Sequence, residues 1–164
     1  MRKPVLKPFN DARSLGVILN LSNSNCPATV AFLNQEAARH GIKIHYLLVN
    51  LSRHPIPQWC LDHRMTVINY RHDFTYLGKL KSAIADEFIN TEFDFLFAVS
   101  NNFHPVVNRL SKLSKAGFKV GKYFSRDNPY DLTYRPSFSE RDMELSKEYV
   151  ANIHLITLPD HSDN

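Results

Sequence analysis

Glycine is scarce in this chain, with five among 164 residues: Gly16, Gly41, Gly78, Gly117 and Gly121. No G-x-G-x-x-G and no G-x-x-x-x-G-K-[ST] occurs, and Asn50-Leu51-Ser52 stand where a ribose-binding acid would follow the second apolar run. The glycine turns and the acidic partner of nicotinamide and P-loop sites are therefore missing. Cysteine is scarcer still: Cys26 and Cys60 are too few for a disulfide framework, and they point to a reducing compartment. No apolar run approaches the ~18 residues of a membrane span. The N-terminal segment carries basic residues and prolines without an apolar core, so no signal peptide is expected. Together these absences predict a cytoplasmic protein with no membrane partner.

What is present is ordinary globular composition, 43% hydrophobic and 22% charged, with a net charge of +4. The cations are scattered, and the only runs are short: Arg2-Lys3, Lys79 to Lys81 and Lys112 to Lys115. A dedicated nucleic-acid binder concentrates them on one stripe, so nucleic acid is not the expected partner. The length suits one domain. A single α/β domain is expected over residues 1–164, with 1–13 as an N-terminal arm and 159–164 as a disordered tail.

Apolar runs alternate with helical periodicities, the pattern of strand–helix–strand units. Residues 15–21 (LGVILNL), 42–51 (IKIHYLLVNL), 65–69 (MTVIN), 93–99 (FDFLFAV) and 118–124 read as strands, with a sixth at 130–134. Helices are expected at 27–40, stopped by Gly41, and at 105–116 with Val106, Leu110 and Leu113 inward. Another should start at Asp73 or Thr75 with Leu77, Leu80, Ile84 and Phe88 as its buried stripe, and a last one at Ser139. Near-continuous apolar strands with helical crossovers predict a Rossmann-like or flavodoxin-like three-layer domain. Its sheet should be mainly parallel, five- or six-stranded, in the order 3-2-1-4-5.

Two segments echo each other. Ser22-Asn23-Ser24-Asn25-Cys26-Pro27 and Ser100-Asn101-Asn102-Phe103-His104-Pro105 each follow a buried strand, open with Ser-Asn and reach a proline that suits a first helical turn. In an open α/β sheet, ligands bind beyond the carboxyl ends of the strands, where the winding direction reverses. The expected order puts both loops there, with two helix N-termini facing one crevice. The candidate ligand-binding residues are Ser22, Asn23, Asn25, Ser100, Asn101 and Asn102, and the candidate ligand is a small anion bearing phosphate. The alternative is that these residues only start helices.

Cys26 and His104 hold matching places in the echo and form a weak candidate nucleophile–base pair for a transferase or hydrolase. The alternative is a packed thiol and a capping imidazole. Arg53-His54, His63-Arg64 and Arg71-His72 make the linker basic, which allows a protein or RNA interaction module. Lys122, Arg126 and Arg135 could extend that patch or grip a phosphate. Cys60 and His63 match no zinc spacing, so neither a metal nor a cofactor is expected.

The stretches Ser14-Leu15-Gly16-Val17, Phe93-Asp94-Phe95-Leu96, Ser114 to Gly121 (SKAGFKVG) and Tyr130-Asp131-Leu132 resemble a family of small uncharacterised bacterial α/β proteins, a domain of unknown function. The resemblance runs over about residues 14–155. It implies an α/β fold and supplies no activity to carry over.

Overall fold

The computed structural model describes residues 2–22, 26–52, 54–75, 77, 79–81, 83–135 and 142–157. Six strands form one sheet: β1 (Ser14–Asn20), β2 (Lys43–Asn50), β3 (Met65–Asn69), β4 (Phe95–Val99), β5 (Phe118–Lys122) and β6 (Leu132–Tyr134). They lie in the order β3-β2-β1-β4-β5-β6. Every neighbouring pair is parallel, β6 included.

The central strands are apolar on both faces because both are covered. On one face Val17, Leu19, Phe95, Phe97 and Val99 pack beneath α1 (Cys26–His40) and α5 (Asp142–Ile156). On the other, Ile18, Leu47, Leu96 and Ala98 meet α3 (Ala83–Asn90) and α4 (Pro105–Leu113). The result is three layers. Helix α1 stops at Gly41 (φ 67°), a left-handed position that glycine adopts without penalty. The Ile42 N–H then donates to Ala37 O (2.8 Å) and the Gly41 N–H to Ala38 O (3.4 Å), the paired bonds of a Schellman stop.

One expected helix is built differently. Residues 70–90 form a short helix α2 (Tyr70–Asp73), an antiparallel bridge between Phe74 and Leu80, and then α3. Both expected caps are spent locally. The Asp73 carboxylate accepts the Asn69 N–H (2.6 Å), and the Thr75 hydroxyl accepts the Lys79 N–H (2.9 Å) to close a turn. The buried face is Ala85, Phe88 and Ile89, whereas Leu77 and Ile84 are 87% and 63% exposed. Helix α4 also ends early, at Leu113, which is exposed, because Ser114 turns extended. Ser139 lies outside the described residues, and so does the expected tail, 159–164.

Strands β5 and β6 are joined by residues 123–131 with no helix between them. Tyr130 closes over the sheet at Gly121, where any Cβ would run into its ring. At the amino ends of the strands, the N-terminal arm is tied down. Arg2 pairs with both oxygens of Asp131 (2.6 Å), the Val5 N–H donates to Gly117 O (2.9 Å), and Lys7 pairs with Asp94 (2.8 Å). Phe9 is then buried against Phe95 and Phe97. Among the described residues, no helix is long and apolar enough to cross a membrane.

Candidate functional site

The chain winds from β1 through α1 to β2 on one side, and from β4 through α4 to β5 on the other. β1 and β4 are direct neighbours, with Leu19 opposite Val99. The reversal of winding therefore falls between them, and the two Ser-Asn loops leave adjacent strands on the same edge of the sheet.

On the β1 side, the Asn20 side chain accepts the Ser22 N–H (2.9 Å), which starts the turn. Asn23 and Asn25 lie outside the described residues. Cys26 is buried at the first turn of α1, and its thiol donates to Asn20 O (3.2 Å). On the β4 side, buried Ser100 donates to Asn102 O (2.6 Å), which curls the loop, while Asn102 itself is exposed. His104 is the N-cap of α4: its Nδ1 accepts the Val106 N–H (3.1 Å). Burial pushes the His104 pKa down, so the ring is neutral with Nδ1 as acceptor. The cap of α4 is thus an imidazole, and the Ser and Asn ahead of it shape the loop. Cys26 and His104 each hold a local partner of their own.

Asn101 reaches furthest. Its Nδ2 donates to Asp142 Oδ1 (2.8 Å) at the start of α5, and its backbone carbonyl accepts from Lys122 Nζ (2.8 Å) at the end of β5. Because the carboxylate can only accept, it sets the amide's orientation. That leaves Asn101 Oδ1 buried with no hydrogen-bond partner among the described residues. Between this loop and β5 lies a shallow crevice lined by Ser100, His104, Lys122, Phe124 and Tyr130 among others, with room for about 10 Å³, the space of one water. Its rim carries two exposed rings, Phe103 and Phe124, edge to face with centroids 5.8 Å apart.

The basic linker is less open than its sequence implies. Arg64 makes a two-pronged pair with Asp62 (3.1 and 3.0 Å), and this hydrogen bonding holds the Asp62 pKa well below the usual carboxylate range. Arg53 and the Arg71 side chain lie outside the described residues. A wider groove of about 400 Å³ runs beside Arg64 at the opposite end of β2, but this cation on its wall is already paired. Among the described residues, no group of three or more His, Cys, Asp or Glu side chains could hold a metal ion.

Residues 2–135 match a family of unknown function, DUF6913. The chain belongs to this family. The match takes in the N-terminal arm and all six strands and ends before α5, so it begins earlier and stops sooner than the sequence resemblance suggests. Of the residues at the corner, family membership covers Ser100 to His104, Lys122 and Phe124, but not Asp142. No curated protein matches the chain.

The sequence named Ser100 and Asn101 as candidates at this corner and did not point to Asp142 or the ring pair. Asp142 is 41 positions from its partner, beyond any local pattern. Phe103 carried a signal, since an apolar ring interrupts the second Ser-Asn-Pro segment where the first has Asn25.

Proposed function

We propose that this chain is a small-ligand binding module that holds a phosphate-bearing molecule at the carboxyl ends of β1 and β4. The observation that carries this reading is the reversal of winding between these strands, which leaves their ends as the natural seat for a ligand in an open α/β sheet. The polar groups there fit such a molecule. Lys122, at the end of β5, supplies a cation, and Ser100 and His104 line the crevice beside it. Both cysteines are buried thiols, which suits a reducing setting, and the cytoplasm is the proposed location.

A thermal-shift screen against phosphate, sugar phosphates, nucleotides and nucleotide sugars tests this. A ligand at 100 times its Kd adds about 2.7 kcal/mol. For a domain of this size that raises Tm by roughly 5–10 °C. Asn101→Ala and Lys122→Met should each reduce the shift. A flat screen, or shifts that survive both substitutions, would overturn the reading.

A further inference from the structure

The crevice has room for about 10 Å³ and cannot enclose a ligand, so recognition at this corner falls to its rim. That rim is aromatic and cationic together. Phe103 is 53% exposed and Phe124 is 37% exposed, yet they come from different loops, after β4 and after β5. They meet edge to face at 71°. Lys122 Nζ lies 5.6 Å from the centre of the Phe124 ring, and the Arg135 guanidinium lies 3.9 Å from that of Tyr123. Arg126 is exposed on the same connection beside exposed Asp127, and the carboxylate of Asp142 is held by the Asn101 amide.

We infer that Phe103 and Phe124 form a stacking platform for a nucleobase, beside cations that take the phosphate of the same ligand. The inference rests on the phosphate-ligand reading above and names its chemical class. Exposed rings cost free energy in water, and a flat aromatic base offsets that cost while leaving its polar edges wet. Alternation of rings with lysine and arginine is what proteins use to hold bases irrespective of sequence, with the ring taking the base face and the cation the phosphate. The same chemistry is offered by a free nucleotide and by a single strand of nucleic acid.

Isothermal titration of the full chain with AMP, adenosine, ribose 5-phosphate and an eight-residue oligoadenylate decides the matter. AMP should bind at least roughly tenfold more tightly than ribose 5-phosphate. Phe103→Ala should bring AMP down to the ribose 5-phosphate level and leave ribose 5-phosphate unchanged; the side chain is exposed, so folding is not at stake. Phe103→Trp should retain binding and show indole quenching on stacking. Equal binding of AMP and ribose 5-phosphate, or AMP binding untouched by Phe103→Ala, would overturn the platform. Equal binding of adenosine and AMP would overturn the phosphate reading beneath it, while a loss in Phe103→Ala would still uphold the stacking. Tighter, salt-sensitive binding of the oligonucleotide would identify a strand as the source of the base, and binding of AMP alone a free nucleotide.

Discussion

Asn101 and Asp142 stand 41 residues apart in sequence and 2.8 Å apart in space, and their hydrogen bond joins the loop after β4 to the start of α5. Asp142 is only 3% exposed, so its carboxylate depends on such donors. The bond also fixes the amide's orientation and leaves its Oδ1 buried with no hydrogen-bond partner among the described residues. Removing the carboxylate frees the Asn101 side chain and uncouples α5 from the loop. Asp142→Ala should destabilise the fold by about 1–3 kcal/mol. Urea denaturation followed by circular dichroism measures this, and the ligand-induced thermal shift should shrink in the same variant.

Gly121 and Tyr130 test the helix-free link between β5 and β6. A Cβ at Gly121 has no space under the Tyr130 ring. Gly121→Ala should cost about 1–3 kcal/mol. The cost should be much smaller in a Tyr130→Leu background, because the two changes share one contact. A double-mutant cycle by chemical denaturation gives the coupling, and simple additivity would show that the ring does not set the constraint.

Asp94 predicts the acid limb. Burial opposes its charge, but the hydrogen bonds from Lys7 and from the Arg13 and Ser14 N–H groups win, and its pKa lies below the ordinary value. A depressed carboxylate stabilises the fold at pH above its unfolded pKa of about 3.9. That contribution is lost as pH falls through the folded value. Asp94→Asn should lower stability at neutral pH and flatten the decline between pH 5 and the acid limit, a comparison made by urea titration at several pH values.

Lys119 predicts a slope of the same sign at high pH. Its ammonium is buried, with Lys112 O as acceptor at 3.2 Å, and burial brings its pKa down to about 8. The unfolded chain, with a lysine pKa of about 10.4, binds more protons than the folded one across that interval. Stability due to this group therefore rises with pH from about 8 upward. Lys119→Met should remove the rise, measured as the difference between the parent and variant denaturation midpoints at pH 7 and pH 9.5.

The layering and strand order were legible because the central strands announce themselves: five consecutive buried residues in β4 and a buried run through β1 leave no solvent face. The stretch from Asp73 to Phe88 was not legible. Its leucines sit at helical spacing, yet Asp73 and Thr75 make bonds to Asn69 and Lys79 that a helix would have excluded. Spacing counts apolar residues and cannot weigh such side-chain competition for backbone groups. At the site, the edge of the sheet followed from the alternation of elements, and Ser100 and Asn101 from their place after a strand. Lys122 was a candidate from its place near the last strands, whereas Asp142 and the meeting of Phe103 with Phe124 belong to tertiary packing, where residues from separate loops converge.

The pairing of β1 with β4 sets Leu15 opposite Phe95, so the middle of the sheet joins the two halves of the chain. Closing so long a loop is paid in chain entropy before any contact repays it, which makes high-contact-order pairing slow. β1–α1–β2 and β4–α4–β5 can each gather as a local unit, and the crevice lined by Ser100, His104, Lys122 and Phe124 lies within the second. A chain stalled before the halves dock would therefore already hold the ring pair and the crevice, while the Asn101–Asp142 bond, which needs α5 packed on the sheet, would still be missing.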